Sequence, residues 1–121
     1  MNALTGSLAR LLYGLPMLAF GIMHFLNVSD MVGMVPSFMP GGAELWVYIT
    51  GVALILAGLA IVGSIVVSGL SGLTYWACIL LGVMLISFVV ALHLPAGNMP
   101  MILKDLGLAG GAWALARQYA H

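Results

Sequence analysis

Four long apolar runs, at residues 4–26, 43–67, 70–94 and 99–120, fill most of the 121-residue chain. At about 1.5 Å of rise per residue, each is long enough as a helix to reach the roughly 30 Å hydrocarbon core of a bilayer. None alternates apolar and polar residues with period two, so none reads as a barrel strand, and a segment in lipid must satisfy its backbone polar groups within itself. The pattern predicts an all-α integral membrane protein, a single domain over residues 1–121 built as a bundle of four transmembrane helices. Pro16 removes a hydrogen bond inside the first run and predicts a kink there. Ser68, Gly69, Leu70, Ser71 and Gly72 join the second and third runs by a link short enough for an antiparallel hairpin. Pro95, Gly97 and Pro100 end the third and start the fourth. Residues 28–42 hold Asp30, Pro36 and Pro40 but also Met31, Val32, Met34, Val35, Phe38 and Met39. That stretch is too apolar to float in water and is expected to lie in the membrane interface with a short helical turn.

Composition closes off the soluble alternatives. The chain is 64% hydrophobic and 5% charged, and its three basic and three acidic residues cannot build the polar shell a water-soluble domain requires. A formal net charge of zero leaves no footprint for nucleic acid. The single cysteine, Cys78, excludes an intrachain disulfide and a dithiol relay, and reads as a small core residue. The first run is too long for a signal peptide, has Arg10 inside it and is followed by no small-residue cleavage site, so it is retained as a helix. With an even number of spans both termini share a side with Arg10 and Arg117, while Lys104 falls opposite. The positive-inside tendency then puts both termini in the cytoplasm, from a cell (inner or plasma) membrane, with insertion in both orientations as the competing outcome.

Laid antiparallel, the helices bring most ionisable residues to the end opposite the termini: His24, Glu44 with Trp46 and Tyr48, His93, and Lys104 with Asp105. Asp105 carries the most weight, because an acid a turn inside helix four is costly unless it is paired or faces a polar cavity. Lys104 can snorkel to the headgroups. Plainer roles exist: Glu44 gains from the helix dipole, and the histidines can bond free C-terminal carbonyls. Together these residues predict a polar mouth under an apolar loop, suited to the head of an amphipathic ligand. There is no Ser-His-Asp arrangement, phosphate-binding glycine loop or haem-attachment motif, so no catalytic residue is assigned. No metal is expected, since the histidines and carboxylates come from four helices without a spacing motif. Met23, Met31, Met34, Met39, Met99 and Met101 read as adaptable apolar filler rather than Cu(I) ligands. At the other mouth, Arg10, Tyr13, Tyr75, Trp76, Arg117, Tyr119 and His121 read as interfacial anchors. Gly51 with Gly58, and Gly107 with Gly111, are helix-packing positions, within the bundle or across the face of a homo-oligomer.

Several of these residues fall in segments with a familiar order. A histidine-phenylalanine pair ends helix one at His24 and Phe25, a P-x-F-x-P loop follows at Pro36, Phe38 and Pro40, and W-V-Y-x-x-G opens helix two from Trp46 to Gly51. Ala91, Leu92, His93 and Leu94 end helix three, and LKDLGLAGGAW, Leu103 to Trp113, lies in helix four. Over nearly its whole length the chain resembles the DoxX family of small four-helix membrane proteins. It departs from many of them at Ala53 and Leu54, where they carry a glutamate. The resemblance implies a four-helix bundle and links some members of the family to quinone-coupled sulfur oxidation as the small DoxD-type subunit, while many members have no assigned activity. The expected function is thus a non-catalytic membrane subunit that holds a quinone or lipid, with His24, His93 and Asp105 bonding the head and methionines walling the tail. The alternatives are an assembly or chaperone-like protein that docks a partner membrane subunit through its glycine faces, and a small dimeric transporter. Small multidrug resistance transporters match in length and span count but place an essential glutamate in helix one, where this chain has none.

Overall fold

The computed structural model describes residues 2–35 and 37–120, which are all-helical with no strand among them. Pro36 of the loop motif and His121 of the boundary set lie outside the described residues. Four principal helices follow in order: α1 (Ser7–Leu26), α2 (Ala43–Gly63), α3 (Ser71–Phe88) and α4 (Met99–Ala116). Three stretches are long and apolar enough to cross a membrane, Ser7–Leu26, Ala43–Gly63 and Ser68–Ala96. The 18-residue α4, with Lys104 and Asp105 inside it, is not among them. Leu12, Leu26, Leu56 and Leu80 are 62 to 76% exposed on the outer faces, a surface that lipid rather than water covers. Helices of this length with such a surface mark a membrane protein.

Several helix ends depart from the apolar runs, each for a local reason. Gly6 separates α1 from a short turn at Asn2–Thr5, and α1 then passes through Pro16 as one helix. Asn27 ends it by donating both its backbone N–H (2.9 Å) and its side-chain amide (3.0 Å) to the Met23 carbonyl. α2 stops at Gly63 instead of residue 67. The Ser64 hydroxyl folds back to the Ile61 carbonyl at 2.6 Å, and the β-branched Ile65, Val66 and Val67 that follow favour leaving the helix. A 3₁₀ turn at Ser68–Leu70 leads into α3. α3 gives way at residue 89 to a π-helical turn, Val89–His93, and then to one α turn, Leu94–Ala96. Gly97 closes that turn in the left-handed conformation (φ +66°), with its N–H on the Leu94 carbonyl and that of Asn98 on the His93 carbonyl, both at 3.1 Å. Glycine reaches this conformation without a Cβ clash. Pro100 in the first turn of α4 suits a position whose N–H has no helical partner. α4 ends at Ala116 and continues as a 3₁₀ turn, Arg117–Tyr119.

Packing divides the four helices into two close pairs, α1 with α2 and α3 with α4, with α2 and α3 making the main contact between them. In lipid, apolar burial gives little drive for helices to associate, so close backbone approach and hydrogen bonds must hold the pairs. The first pair relies on facing glycines. A Cβ placed on Gly58 would lie 2.9 Å from the Gly14 carbonyl, and one on Gly21 would lie 2.8 Å from the Gly51 carbonyl. In the second pair the Trp113 indole covers Gly82 and donates to the Ile79 carbonyl at 3.1 Å. Met17, Leu54, Leu81, Leu85, Ala109 and Ala112 fill the space between the pairs at mid-height. Ile61, Cys78, Leu115 and Tyr119 fill it toward the termini. Thr74 shares its hydroxyl proton between the Leu70 carbonyl at 2.7 Å and the Ala60 carbonyl on α2 at 3.2 Å, and Tyr13 on α1 donates across to the Leu108 carbonyl on α4. Toward the loop end the pairs part.

Candidate functional site

Where the pairs part there is a cavity of about 560 Å³. Its inner wall is Met17, Phe20, Leu54, Met84, Leu85 and Phe88, and its roof is Met31, Met34, Val35 and Met39 of the connecting segment. In the connecting segment, where a short helical turn was expected, there is one α turn at Val28–Met31 and a 3₁₀ turn at Val32–Met34, which fold the methionines back over the cavity. The reason is the cavity itself, whose apolar lining gives unbranched, polarisable thioethers a surface to fill.

The polar centre of this wall is His93 with Asp105. Nε2 of His93 lies 2.8 Å from Oδ2 of Asp105, and the two side chains are 5% and 4% exposed. Local folding accounts for both positions. On α4 the inward stripe runs through Ile102, Asp105, Ala109, Ala112 and Ala116 at helical spacing, so Asp105 must face the interior. On α3 the inward stripe is Thr74, Cys78, Leu81 and Leu85. The wider π turn then returns both Val89 and His93 to the buried side, a device often found at functional positions. Lys104, one residue from Asp105, leaves the interior and approaches Oδ1 at 3.5 Å with its side chain 42% exposed. Both carboxylate oxygens are therefore engaged, and the charge of the acid is balanced beside it. Lys104 Nζ also stands 5.5 Å from the centre of the Phe20 ring on α1.

Hydrogen-bond partners fix what the two imidazoles can offer. His24 Nδ1 sits 2.6 Å from the Phe20 carbonyl. A carbonyl only accepts, so Nδ1 donates, and the neutral ring has its lone pair on Nε2. His93 donates from Nε2 to the carboxylate, and its neutral ring has its lone pair on Nδ1. Thr50 and Ser87 add hydroxyls to the wall, Ser87 donating to Val83 at 2.9 Å. The site thus combines an ammonium donor, two imidazole acceptors and two hydroxyls in an otherwise apolar chamber. Among the described residues, no group of three His, Cys, Asp or Glu side chains is placed to hold a metal ion.

Of the seven residues expected to form the mouth, His24, Trp46, His93, Lys104 and Asp105 line this cavity and Glu44 and Tyr48 do not. Glu44 is exposed in the first turn of α2, where it complements the helix dipole. Tyr48 is 41% exposed and packs on Phe25 with ring centres 5.4 Å apart, on the outside of the α1–α2 pair. Sequence reasoning passed over Thr50 and Ser87, although each is a polar break in an apolar run. Of the glycines, Gly51 and Gly58 pack on α1 and a Cβ on Gly111 would lie 3.0 Å from the Tyr13 ring, whereas one on Gly107 would find nothing within 4 Å. Gly107 therefore takes no part in packing within the described chain.

A family model described as a domain of unknown function, DUF8561, matches residues 13–113. The chain belongs to that family. The matched stretch contains every residue lining the DUF8561 cavity, from Met17 to Leu108. Comparison with curated proteins and with solved structures finds no match.

Proposed function

We propose that this protein is a non-catalytic membrane subunit that holds an amphipathic molecule with a hydrogen-bonding head, a quinone or its quinol, in the chamber between the two helix pairs. The observation that carries the reading is the buried His93–Asp105 pair in the wall of a cavity of about 560 Å³ that is otherwise lined by methionine, leucine and phenylalanine. Such a chamber accepts an apolar ring and chain, and a few convergent polar groups fix the head. The imidazole lone pairs suit the hydroxyls of a quinol, and Lys104 and the Thr50 hydroxyl suit the carbonyls of a quinone. The resemblance to DoxX proteins points the same way, toward a small accessory subunit of a quinone-coupled oxidoreductase. Decylubiquinone should quench the fluorescence of the detergent-solubilised protein saturably through Trp46 on the cavity wall, and Trp46→Phe should remove the saturable part. Ala91→Phe, which narrows the chamber without touching the ion pair, should weaken binding about tenfold. Quenching that rises linearly with quinone and is alike in all three proteins would rule the reading out.

In this reading α4 crosses the membrane as a fourth span. Its 18 residues cover about 27 Å at helical rise, it packs along α3, and Lys104 and Asp105 neutralise each other near one end. Both termini then face the cytoplasm of the inner or plasma membrane, supported by Arg10 and Arg117 on one side. With Cys78 replaced by alanine, Ser37→Cys should react with an impermeant maleimide added outside the cell and Ala120→Cys only after permeabilisation. The reverse pattern, or equal labelling of each site from both sides, defeats this topology.

The second reading, a protein that docks other transmembrane helices or a second copy of itself, is favoured by the open surface at Gly107 and Gly110, where an added Cβ would meet nothing within 4 Å.

A further inference from the structure

The end of the bundle near the termini is built unlike the ordinary headgroup belt expected there. Tyr119 is 2% exposed and Tyr13 turns inward to α4. Among the described aromatic residues of that set, Trp76, 60% exposed and edge-on to Tyr75, keeps the outward pose of an anchor. Arg10 is drawn in as well. Its Nε donates to Gln118 Oε1 at 2.8 Å, its Nη1 donates to the Ser64 carbonyl at 3.1 Å, and its guanidinium lies 4.7 Å from the centre of the Tyr119 ring. The ring is itself fixed, since the Ser64 hydroxyl spends its proton on Ile61 and so accepts from Tyr119 at 2.7 Å. Arg10 forms one wall of a second cavity, of about 390 Å³, opposite Ser68 and Ser71.

We propose that this cavity, walled by Arg10, Ser64, Ser68, Ser71, Gln118 and Tyr119, binds a phosphate group, carried by an anionic lipid or free in solution. The charge balance of the chain supplies the first argument. Asp30, Glu44 and Asp105 are all at the opposite end, Asp105 already held by His93 and Lys104. Among the described residues Arg10 has no carboxylate partner, and the exposed Arg117 adds a second positive charge nearby. A part-buried guanidinium at a membrane boundary is incomplete without an anion. Geometry supplies the second argument. Arginine has five N–H donors, and among the described residues two of them find partners. The remaining donors are held in a fixed plane by Gln118, Ser64 and Tyr119, so little side-chain freedom is lost when an anion binds. Third, Ser68 and Ser71 line the same cavity and supply hydroxyls from the start of α3 and the turn before it. Donors from two walls suit the tetrahedral oxygens of a phosphate better than the flat edge of a carboxylate.

The test is thermal unfolding of the full-length protein in detergent, titrated separately with phosphatidylglycerol, phosphatidylcholine and inorganic phosphate. Phosphatidylglycerol should raise the unfolding temperature saturably and phosphatidylcholine should not. A saturable rise with inorganic phosphate as well identifies a free phosphate as ligand, and its absence identifies the lipid. Arg10→Gln should abolish the shift. Because Arg10 also bridges three helices, the decisive variant is Ser68→Ala/Ser71→Ala, which leaves those bridges intact and should weaken the effect about tenfold. Arg117→Gln should retain it. The proposal is overturned if neither anion produces a saturable shift in the wild type, or if Arg117→Gln loses as much as the double serine variant.

Discussion

Asp105→Ala should unfold in detergent more readily than the wild type, by about 1–3 kcal/mol, the usual penalty for leaving a buried donor without its acceptor. Asp30→Ala and Glu44→Ala should be close to neutral. The contrast follows from position. Asp30 and Glu44 are exposed at helix starts near the loop, where water replaces whatever the carboxylate loses. Asp105 is 3% exposed and uses both oxygens, one on His93 and one toward Lys104. Its loss leaves the buried His93 Nε2–H without an acceptor and Lys104 without its counter-charge. Adding His93→Ala to Asp105→Ala should therefore cost much less than the two separate effects combined, because the double variant buries no orphaned partner. Denaturant or thermal unfolding of the wild type, the single variants and the double variant measures this. Additive losses, or an Asp30→Ala as unstable as Asp105→Ala, would show that the pair is not a coupled unit.

Gly58→Ala should destabilise the protein by about 1–3 kcal/mol, the range for forcing extra atoms into a packed contact. An added Cβ would stand 2.7 Å from the Leu18 nitrogen and 2.9 Å from the Gly14 carbonyl. Both obstacles are backbone, so α1 and α2 must move apart along the contact that holds them. Gly107→Ala should go the other way. Nothing lies within 4 Å of its added Cβ, and alanine is favoured over glycine in a helix by about 1 kcal/mol at most. Unfolding in a denaturing detergent series reads the sign of each. Equal losses at the two sites would mean that Gly107 is packed against another molecule, and a neutral Gly58→Ala would remove the glycine contact as the basis of the α1–α2 pair.

These two contacts together explain why the chamber exists. Facing glycines bring α1 and α2 together, and Trp113 on Gly82 helps hold α4 to α3. The two pairs share a filled core at mid-height and toward the termini. The loop end is left to the methionines and to one polar pair.

The all-helical class and the apolar helices were legible in the sequence, because a backbone in lipid has only internal partners and so length and hydropathy alone dictate helix. The oddity of Asp105 was legible for the same reason, as an acid placed inside an apolar run. The tertiary structure decided the rest. Gly14 and Gly21 were not singled out, since a glycine acquires its packing role only when the facing helix supplies Gly58 and Gly51 at the same height. The π turn that buries His93 leaves no mark in composition, being a phase shift set by packing against α4. Glu44 and Tyr48 share a helix end with Trp46 but face outward, while Arg10 and Tyr119, outwardly ordinary as boundary residues, turn in. Sequence fixes how far along the membrane normal a residue lies, because helical rise is constant. Azimuth around the bundle is set by which neighbour each helix packs on, and azimuth is what separates a cavity wall from a lipid-facing surface.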